Sequence, residues 1–299
     1  MTDSKSLDRL RKLLTVEQLP AMPHSALRVL QLDNDLTKVN INDLVRPIEA
    51  DPGLAAQVLK FLNSSYFGFQ STISNVKQGI ALVGIRIVKN FVLWKAVFSL
   101  IPKNKLSTFN VNALWQDSLR RAMFTRFVLL ELKKGDPELS FAGALLQDMA
   151  IPLLIKQQTE DYDELLNKLR LVEAKRLSEL EIEHFGWTHA DAGGVLGRNW
   201  KLPDSLTELI ESHLDLDALQ ADYVNRTEQY VVALSSLLPS VVHKQWYDKE
   251  LFLRYMTTVY PSTEPEQTDK LLSRVDAEFD QYAMLLQLAK PSQTMKSYL

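Results

Sequence analysis

The stretch Asp51-Pro-Gly-Leu-Ala-Ala-Gln-Val-Leu-Lys-Phe-Leu62 sets the pattern for the whole chain. Aspartate is a preferred helix N-cap, and a proline directly after it is tolerated because first-turn amides have no partner within the helix. The apolar residues that follow recur every three or four positions and form one stripe: Leu54, Ala55, Val58, Leu59 and Leu62. Asn63-Ser-Ser65 ends the pattern. The stretch therefore predicts an amphipathic helix with one buried face.

Helical periodicity continues on both sides of this stretch. Residues 4–15 alternate apolar and charged positions at helical spacing, and residues 76–100 are helical with a break at Gly84. A long helix is predicted over about 111–133 and another near 138–156. Further helices follow to the end of the chain, and no segment of comparable strength alternates with period two. The sequence therefore predicts an all-α fold.

The composition agrees with a helical protein and excludes several kinds of site. Apolar residues make up 46% of the 299 residues, which is enough for a sizeable core, and only 10 residues are glycine. With 37 acidic and 34 basic residues the net charge is −3, whereas nucleic-acid-binding surfaces are usually strongly basic. The absence of cysteine excludes disulfides, thiolate metal sites and cysteine nucleophiles. No nucleic-acid partner is expected.

The apolar runs and the N-terminus favour a cytoplasmic protein. Residues 1–14 are charged and amphipathic, unlike the apolar core of a signal peptide. The longest apolar region, 80–101, is interrupted by charged residues, so we expect no stretch long enough to span a membrane and no membrane partner. The polar segment 102–108 predicts a linker between an N-terminal helical lobe, 1–104, and a second helical lobe, 105–299.

A series of short motifs occurs in order along both halves. The first half contains Leu19-Pro-x-x-Pro23, Ile48-Glu-Ala-Asp-Pro-Gly-Leu54, Val58-Leu-Lys-Phe-Leu-Asn-Ser64 and Ile73-x-x-Val76-x-x-Gly79-Ile-Ala81-x-x-Gly84. The second half contains Trp115-Gln-Asp-Ser118, Gly143-Ala-Leu-Leu-Gln-Asp148, Glu183-x-x-Gly186-x-x-His189-Ala-Asp-Ala-Gly193, Trp200-x-Leu-Pro203 and Ile210-x-x-His213. Together these motifs resemble the HDOD domain, an output domain related to the HD phosphohydrolases, over roughly residues 17–215.

The resemblance implies a multi-helix HDOD fold, with the N-terminal lobe packed on a degenerate HD-like lobe at 105–299. It also implies a role in bacterial signalling as a non-enzymatic output or docking domain. In the related HD enzymes, His and Asp side chains from several helices hold one or two divalent metals. The metal lowers the pKa of a bound water, which then attacks a phosphate ester.

Several ligand positions of the HD pattern are changed in this chain. Asp117 stands where the pattern places its first His, and Gln147 stands where it places the His of the His-Asp pair. Leu214 replaces the second His of a paired His-His, and the last carboxylate falls at Ser235 or Ser236. A neutral amide is a poor ligand for a transition metal, which prefers imidazole or anionic oxygen. We therefore expect no catalytic residues, no bound metal and no cofactor.

Three ligand positions remain, which leaves alternatives open for the site. Asp148 is kept, and His189 and His213 fall where further His ligands occur in binuclear relatives. The predicted vestigial pocket between the lobes is lined by Asp117, Gln147, Asp148, His189 and His213. Asp117, Asp148, His189 and His213 can still hold a hard ion weakly. The alternative is structural: Asp148 hydrogen-bonds inside a helical core and His189 caps its helix.

Two further features have a functional and a structural interpretation. The segment around Asn63, Ser64 and Tyr66 is a candidate loop for a partner or ligand, although a helix cap followed by an aromatic anchor is favoured. The pair Arg120-Arg121 is interpreted as a solvated helix face, and His184 as a solvated side chain. Gly193-Gly194 lacks the context of a phosphate-binding loop and is predicted to let two helices approach closely.

Three functions follow from this sequence. The first is a non-enzymatic regulatory module that binds a signalling protein and also senses a small ligand in the vestigial pocket. The second is a metal-dependent phosphohydrolase acting on a nucleotide or cyclic dinucleotide. The third is a scaffold whose pocket is filled by side chains. The sequence does not indicate the oligomeric state.

Overall fold

The helix predicted after Asp51 forms in the structure. In a computed structural model, helix α4 spans Pro52–Leu62, and Asp51 Oδ1 accepts a hydrogen bond from the backbone N–H of Leu54 at 3.0 Å. Val58, Phe61 and Leu62 are buried, whereas the other apolar residues of the stripe are half-buried. The predicted cap and the predicted buried face therefore both hold.

The structure describes residues 4–15, 19–32, 39–64, 67–100, 106–171, 175–261, 265–286 and 288–299. In the first third, the helices besides α4 are α1 (Ser4–Leu13), α2 (His24–Leu30), α3 (Ile41–Glu49), α5 (Val76–Val83) and α6 (Ile85–Leu100). Gly84 separates α5 from α6 as predicted, because its φ of 96° lies in the left-handed region that favours glycine.

The remainder of the chain is also helical. Its helices are α7 (Val111–Leu132), α8 (Pro137–Leu146), α9 (Ile151–Gln157), α10 (Thr159–Leu171), α11 (Leu177–Phe185), α12 (His189–Asn199), α13 (Asp204–Glu211), α14 (Leu216–Ala221), α15 (Thr227–Ser235), α16 (Lys249–Val259) and α17 (Pro265–Leu286). A short 3-10 helix, Lys296–Tyr298, follows. The described residues contain no strand, which confirms the all-α prediction.

One predicted helix, near 138–156, is two helices in the structure. Helices α8 and α9 are separated by the turn at residues 147–150. Pro152 has no amide hydrogen to donate to the carbonyl of Asp148, four residues earlier, so a continuous helix is disfavoured at this point. The break places Asp148 in a turn rather than within a helix.

Helices α7 and α8 lie at the centre of the fold. Helix α7 packs against α8, α15 and α17, and α8 also contacts α6 and α13. The segment Pro137–Gln157 is long and apolar enough to span a membrane, so the expectation that no stretch approaches that length was wrong. Since 89% of its most apolar window is buried inside the fold, the segment serves as the core of this protein.

Helices from the first third of the chain contact helices from the remainder. Helix α6 packs on α8, and α1 packs on α12, where the Asn199 side chain donates a hydrogen bond to the carbonyl of Leu14 at 2.7 Å. The predicted boundary at residue 104 falls within 101–105, outside the described residues. The division into lobes 1–104 and 105–299 therefore stays a prediction.

Candidate functional site

Three of the predicted site residues meet in the interior. Asp148 follows α8, His189 begins α12, and His213 follows α13. The Nε2 atoms of His189 and His213 lie 3.3 Å apart, and each lies 3.5 Å from Asp148 Oδ1. The exposed fraction is 6% for Asp148, 6% for His189 and 0% for His213. These side chains thus form one buried cluster.

Glycines allow the helices that carry this cluster to approach closely. A Cβ atom at Gly193 of α12 would lie 2.6 Å from Ile210 Cγ2 of α13. A Cβ atom at Gly143 of α8 would lie 2.8 Å from Leu209 Cβ, also of α13. Real contacts are longer than these distances, so larger residues would push the helices apart. The interpretation of Gly193-Gly194 as a close-approach site is consistent with this geometry.

Buried groups behind the imidazoles fix their orientation. Glu181 Oε2 accepts hydrogen bonds from His189 Nδ1 at 2.6 Å and from the His189 backbone N–H at 2.8 Å. Glu181 Oε1 accepts a third, from the Tyr162 hydroxyl at 2.8 Å. His213 Nδ1 donates to the carbonyl of Ile210 at 2.6 Å. Both rings therefore present Nε2 to Asp148, an arrangement typical of metal-ligating histidines.

The N-cap of α12 is Thr188 and not His189. The Thr188 hydroxyl accepts a hydrogen bond from the backbone N–H of Asp191 at 3.3 Å, and Asp191 reciprocates at the Thr188 N–H at 2.8 Å. The structural alternative of His189 as a cap was therefore wrong. The His189 side chain is directed into the site because the cap is supplied by its neighbour.

The other two predicted pocket residues are directed elsewhere. Asp117 accepts hydrogen bonds from the backbone N–H of Val241 at 2.9 Å and from the Ser240 hydroxyl. Gln147 is fully buried, and its Oε1 accepts a weak hydrogen bond from the Ser235 hydroxyl at 3.4 Å. Its Nε2 has no hydrogen-bond partner among the described residues. Neither side chain therefore joins the Asp148, His189 and His213 cluster.

Arg121 was not among the predicted site residues, yet its guanidinium lies at the site. Its guanidinium donates to Asp148 Oδ2, and only 13% of its side chain is exposed. The neighbouring Arg120 is 1% exposed and donates to the carbonyl of Gln293 at 2.6 Å. The interpretation of this pair as a solvated face was wrong, because α7 is covered by other helices on nearly all sides.

The charges of the cluster depend on one another. Burial disfavours the charged form of Asp148, but Arg121 and a hydrogen bond from His189 hold the pKa of this carboxyl well below its usual range. Burial also opposes protonation of His189, yet Glu181 and Asp148 raise its pKa to about 10. Burial lowers the pKa of His213, and the charge of His189 adds to this. A protonated His189, a neutral His213 and an ionised Asp148 result.

A single metal ion fits the distances and the two-imidazole, one-carboxylate composition of this cluster, but a two-metal centre does not. A tetrahedral ion with bonds of about 2.0–2.1 Å places its ligands roughly 3.3–3.4 Å apart, close to the separations seen here. The further ligands of a catalytic pair are absent, since Gln147 is a neutral amide, Asp117 is directed to residues 240–241 and Ser235 has no carboxylate. Arg121 already neutralises Asp148. The residues therefore do not fit a two-metal hydrolase centre.

The candidate loop after α4 is tied to the fold at its first residue. The Asn63 side chain accepts a hydrogen bond from the backbone N–H of Ile73 at 2.7 Å and donates to the carbonyls of Ile73 at 2.6 Å and Leu59 at 2.9 Å. The Phe67 ring packs edge-on against Phe61, with centroids 5.1 Å apart. Ser64 Oγ is buried without a described partner, and Tyr66 lies outside the described residues. Asn63 and Phe67 thus have structural roles.

Comparison with known proteins adds a sequence relative and similar folds. A protein of Treponema pallidum (strain Nichols), itself uncharacterized, is 24% identical over 216 residues, covering 70% of this chain and 40% of the relative. An HDOD domain protein of Geobacter sulfurreducens has a solved structure with a TM-score of 0.73 at 19% identity, covering 96% of this chain and 99% of that one.

Two further solved structures share the fold. A candidate signal transduction protein of Marinobacter aquaeolei VT8 matches with a TM-score of 0.69 at 19% identity, over 95% of this chain and 65% of that one. A candidate phosphohydrolase of Shewanella amazonensis SB2B matches with a TM-score of 0.64 at 16% identity, over 97% of this chain and 95% of that one. This chain thus spans less than two thirds of the Treponema and Marinobacter proteins.

The match to a family model identifies the family, which the shared folds do not. The HDOD domain model matches residues 19–216, close to the range over which the sequence motifs occur. This match covers more than half of the chain and includes Asp148, His189 and His213. The chain therefore belongs to the HDOD domain family.

Proposed function

We propose that this chain is a non-enzymatic signalling module of bacteria, cytoplasmic in location, that acts by binding a protein partner. The ion pair between Arg121 and Asp148 carries the non-enzymatic part of this proposal, because it offsets the charge of the carboxylate that a catalytic metal would need. The fold shared with a candidate signal transduction protein supports a signalling role. In this proposal the former metal centre is kept as a structural network of charges.

The burial of the site also supports a non-catalytic role. A hydrolase needs a metal with an open coordination position, where water and a phosphate ester can bind. Asp117, Gln147, Asp148, His189 and His213 are each between 0% and 7% exposed. Arg121, with a side chain that is 13% exposed, covers Asp148 from the α7 side. A phosphate ester would have to displace the arginine to reach the cluster.

We also propose that a small ligand is sensed at this site, which requires the side chains that bury the site to move aside. The Nε2 of Gln147 and the Nε of Arg121 are buried and have no hydrogen-bond partner among the described residues. Buried donors without partners are costly, so a ligand with an acceptor atom would be stabilised there. Such a ligand would change the affinity for the partner protein and would not itself be chemically altered.

The second candidate is a phosphohydrolase acting on a nucleotide or cyclic dinucleotide. The 3.3–3.5 Å separations of His189, His213 and Asp148 favour it, as does the carboxylate of Glu181 behind His189. The fold shared with the Shewanella candidate phosphohydrolase is compatible with it. Hydrolysis of this kind would need a metal ion that is held by Asp148, His189 and His213 while Arg121 stays in place.

Hydrolysis assays on the intact chain separate the two candidates. We expect no turnover of bis-(p-nitrophenyl) phosphate or cyclic dinucleotides by the wild-type chain with added Mn²⁺, Fe²⁺ or Zn²⁺. Turnover that disappears in the isosteric variant Asp148→Asn would contradict the non-enzymatic proposal.

Partner capture tests the binding role. Immobilised wild-type chain should retain a specific protein from a bacterial lysate, and the surface control Glu183→Gln should retain the same one. If no protein is retained above the level of an unrelated helical bait, the partner-binding proposal is wrong.

A further inference from the structure

The buried cluster contains carboxylates that require a cation. Asp148 is 6% exposed and Glu181 is 0% exposed, so both have little access to water. Removing one partner of a buried ion pair is strongly destabilising, because the remaining charge is left uncompensated. Glu181 is balanced by His189, with Nδ1 at 2.6 Å, whereas Asp148 Oδ2 receives the guanidinium of Arg121. The positive charge at Asp148 therefore comes from a side chain of α7.

Arg121 lies on α7, about one helical turn after Asp117. Residues four apart lie on the same helix face, and Arg121 follows Asp117, the position of the first metal ligand, by four. This face of α7 therefore delivers a permanent cation to Asp148, where the related enzymes deliver a ligand. A guanidinium is charged at all accessible pH values, so it remains a competitor for any divalent ion.

We propose that Arg121 is a built-in replacement for a divalent metal, holding Asp148 in its guanidinium and thereby excluding metal from the Asp148, His189 and His213 donor set. The three donor atoms lie within 4.8 Å of one another and already have the spacing of metal ligands. The guanidinium offsets the carboxylate charge that would attract an ion. The structure thus contains a donor set with the spacing of a metal site, and its own arginine, bound to the other oxygen of Asp148, places a positive charge beside that set.

Two other described arginines near the site are held by other groups. Arg176 interacts electrostatically with Asp148, but it donates to the Ser236 hydroxyl at 2.9 Å and lies 3.8 Å from Asp248. Arg120 lies 3.5 Å from Asp276 and is held by the carbonyl of Gln293. Loss of Arg121 should therefore leave Asp148 Oδ2 without its guanidinium partner. This inference concerns the chemistry of the site and does not depend on a partner protein.

Cobalt titration of the intact chain tests the inference. Co²⁺ bound by imidazole and carboxylate gives visible absorption bands, so binding is read without any activity. We expect Arg121→Met to bind one Co²⁺ at least about 10- to 100-fold more tightly than the wild type, the range over which groups near a metal's ligands usually change affinity. The double variant Arg121→Met/Asp148→Asn should lose this gain.

Arg126→Met is the matched control. Arg126 lies on the same helix, its side chain is 17% exposed, and it pairs with Glu138 at 2.8 Å. This variant removes a half-buried guanidinium away from the donor set and should leave Co²⁺ binding at the wild-type level. Equal affinities in Arg121→Met and the wild type would overturn the inference, and so would a wild-type chain isolated with one metal per chain.

Two measurements keep the test decisive if Arg121→Met fails to fold. Arg121→Lys keeps the positive charge and should exclude Co²⁺ as the wild type does, whereas Arg121→Gln should bind it. Thermal unfolding of the wild type should not shift with excess Co²⁺, and a rise of several degrees would overturn the inference. Metal bound by the wild type without hydrolysis would refute only the role of Arg121, whereas metal with hydrolysis would refute the proposed function as well.

Discussion

The two sides of the buried cluster differ in how their side chains are held. One side is called the retained side because His189 and His213 match ligand positions of the HD pattern, and it also includes Glu181. The replaced side consists of Arg121 and Gln147, and Asp148 lies between the two sides. On the retained side, both imidazoles are held by acceptors within 2.6 Å. On the replaced side, the Nε of Arg121 and the Nε2 of Gln147 have no described partner. Both imidazoles are thus held by hydrogen bonds, whereas the replaced side keeps buried donors without described partners.

The two sides also differ in the buried charges that they balance. The retained side balances buried charges that would otherwise be uncompensated, so its residues also stabilise the fold. The replaced side has only to supply one positive charge to Asp148, and Arg121 does so. We therefore expect substitutions on the two sides to differ in their effect on stability.

The largest loss of stability is expected from Glu181→Ala. This change leaves His189 without its buried counter-charge and the Tyr162 hydroxyl without its acceptor. Breaking a buried ion pair in this way costs about 3–5 kcal/mol. Urea denaturation monitored by circular dichroism measures the free energy of unfolding.

Glu183→Ala on the same helix is the control. Its side chain is 59% exposed and pairs with Lys175 at 2.5 Å, and an exposed pair of this kind contributes only about 0–1 kcal/mol. Similar losses for the two variants would show that the Glu181 network does not stabilise the fold.

A change of pH is expected to have a smaller effect on the free energy of unfolding. The pKa of His189 is raised to about 10, so its contribution to stability is fully present below the unfolded value of about 6.5 and is lost as the pH rises through 10. The pKa of His213 is lowered, so protonation of the unfolded chain decreases stability as the pH falls below about 6.5. The free energy of unfolding should therefore have a maximum near pH 6.5 and decline on both sides. In His189→Gln the alkaline decline should be shallower, and an unchanged slope would contradict this assignment.

The smallest effect is expected from Gln147→Met on the replaced side. The amide Nε2 has no described partner, and Oε1 makes one weak hydrogen bond at 3.4 Å. Exchanging such an amide for an apolar side chain of similar size should change the free energy of unfolding by no more than about 1 kcal/mol. A loss as large as that of Glu181→Ala, measured by the same urea denaturation, would show that the two sides are not different.

Much of the fold was predictable because its signals are local. Asp51 before Pro52 defined the start of α4, and Gly84 marked the break between α5 and α6. The ordered motifs identified Asp148, His189 and His213, which the structure brings together. Cap residues, positive φ angles and short motifs act within a few residues, so they can be recognised without the tertiary structure.

The support of the site was not predictable, because it depends on tertiary packing. Glu181 lies four residues after Leu177 and four before Phe185, so helical spacing places it on the apolar face of α11. The sequence does not indicate which buried groups pair with it, because His189 and Tyr162 reach it only through tertiary packing. Arg121 was interpreted as solvated because a charged pair on a helix is usually exposed. Its position four residues after Asp117 was the one signal that pointed into the site.

Metal analysis of the wild-type chain tests the central claim most directly. The chain should be produced in cells supplied with Mn, Fe and Zn, purified without chelators or a histidine tag, and analysed by mass spectrometry for metals. The replacement of the metal by Arg121 predicts far less than one metal ion per chain. One or two ions per chain would contradict it, because Asp148, His189 and His213 would then hold metal in the presence of the arginine.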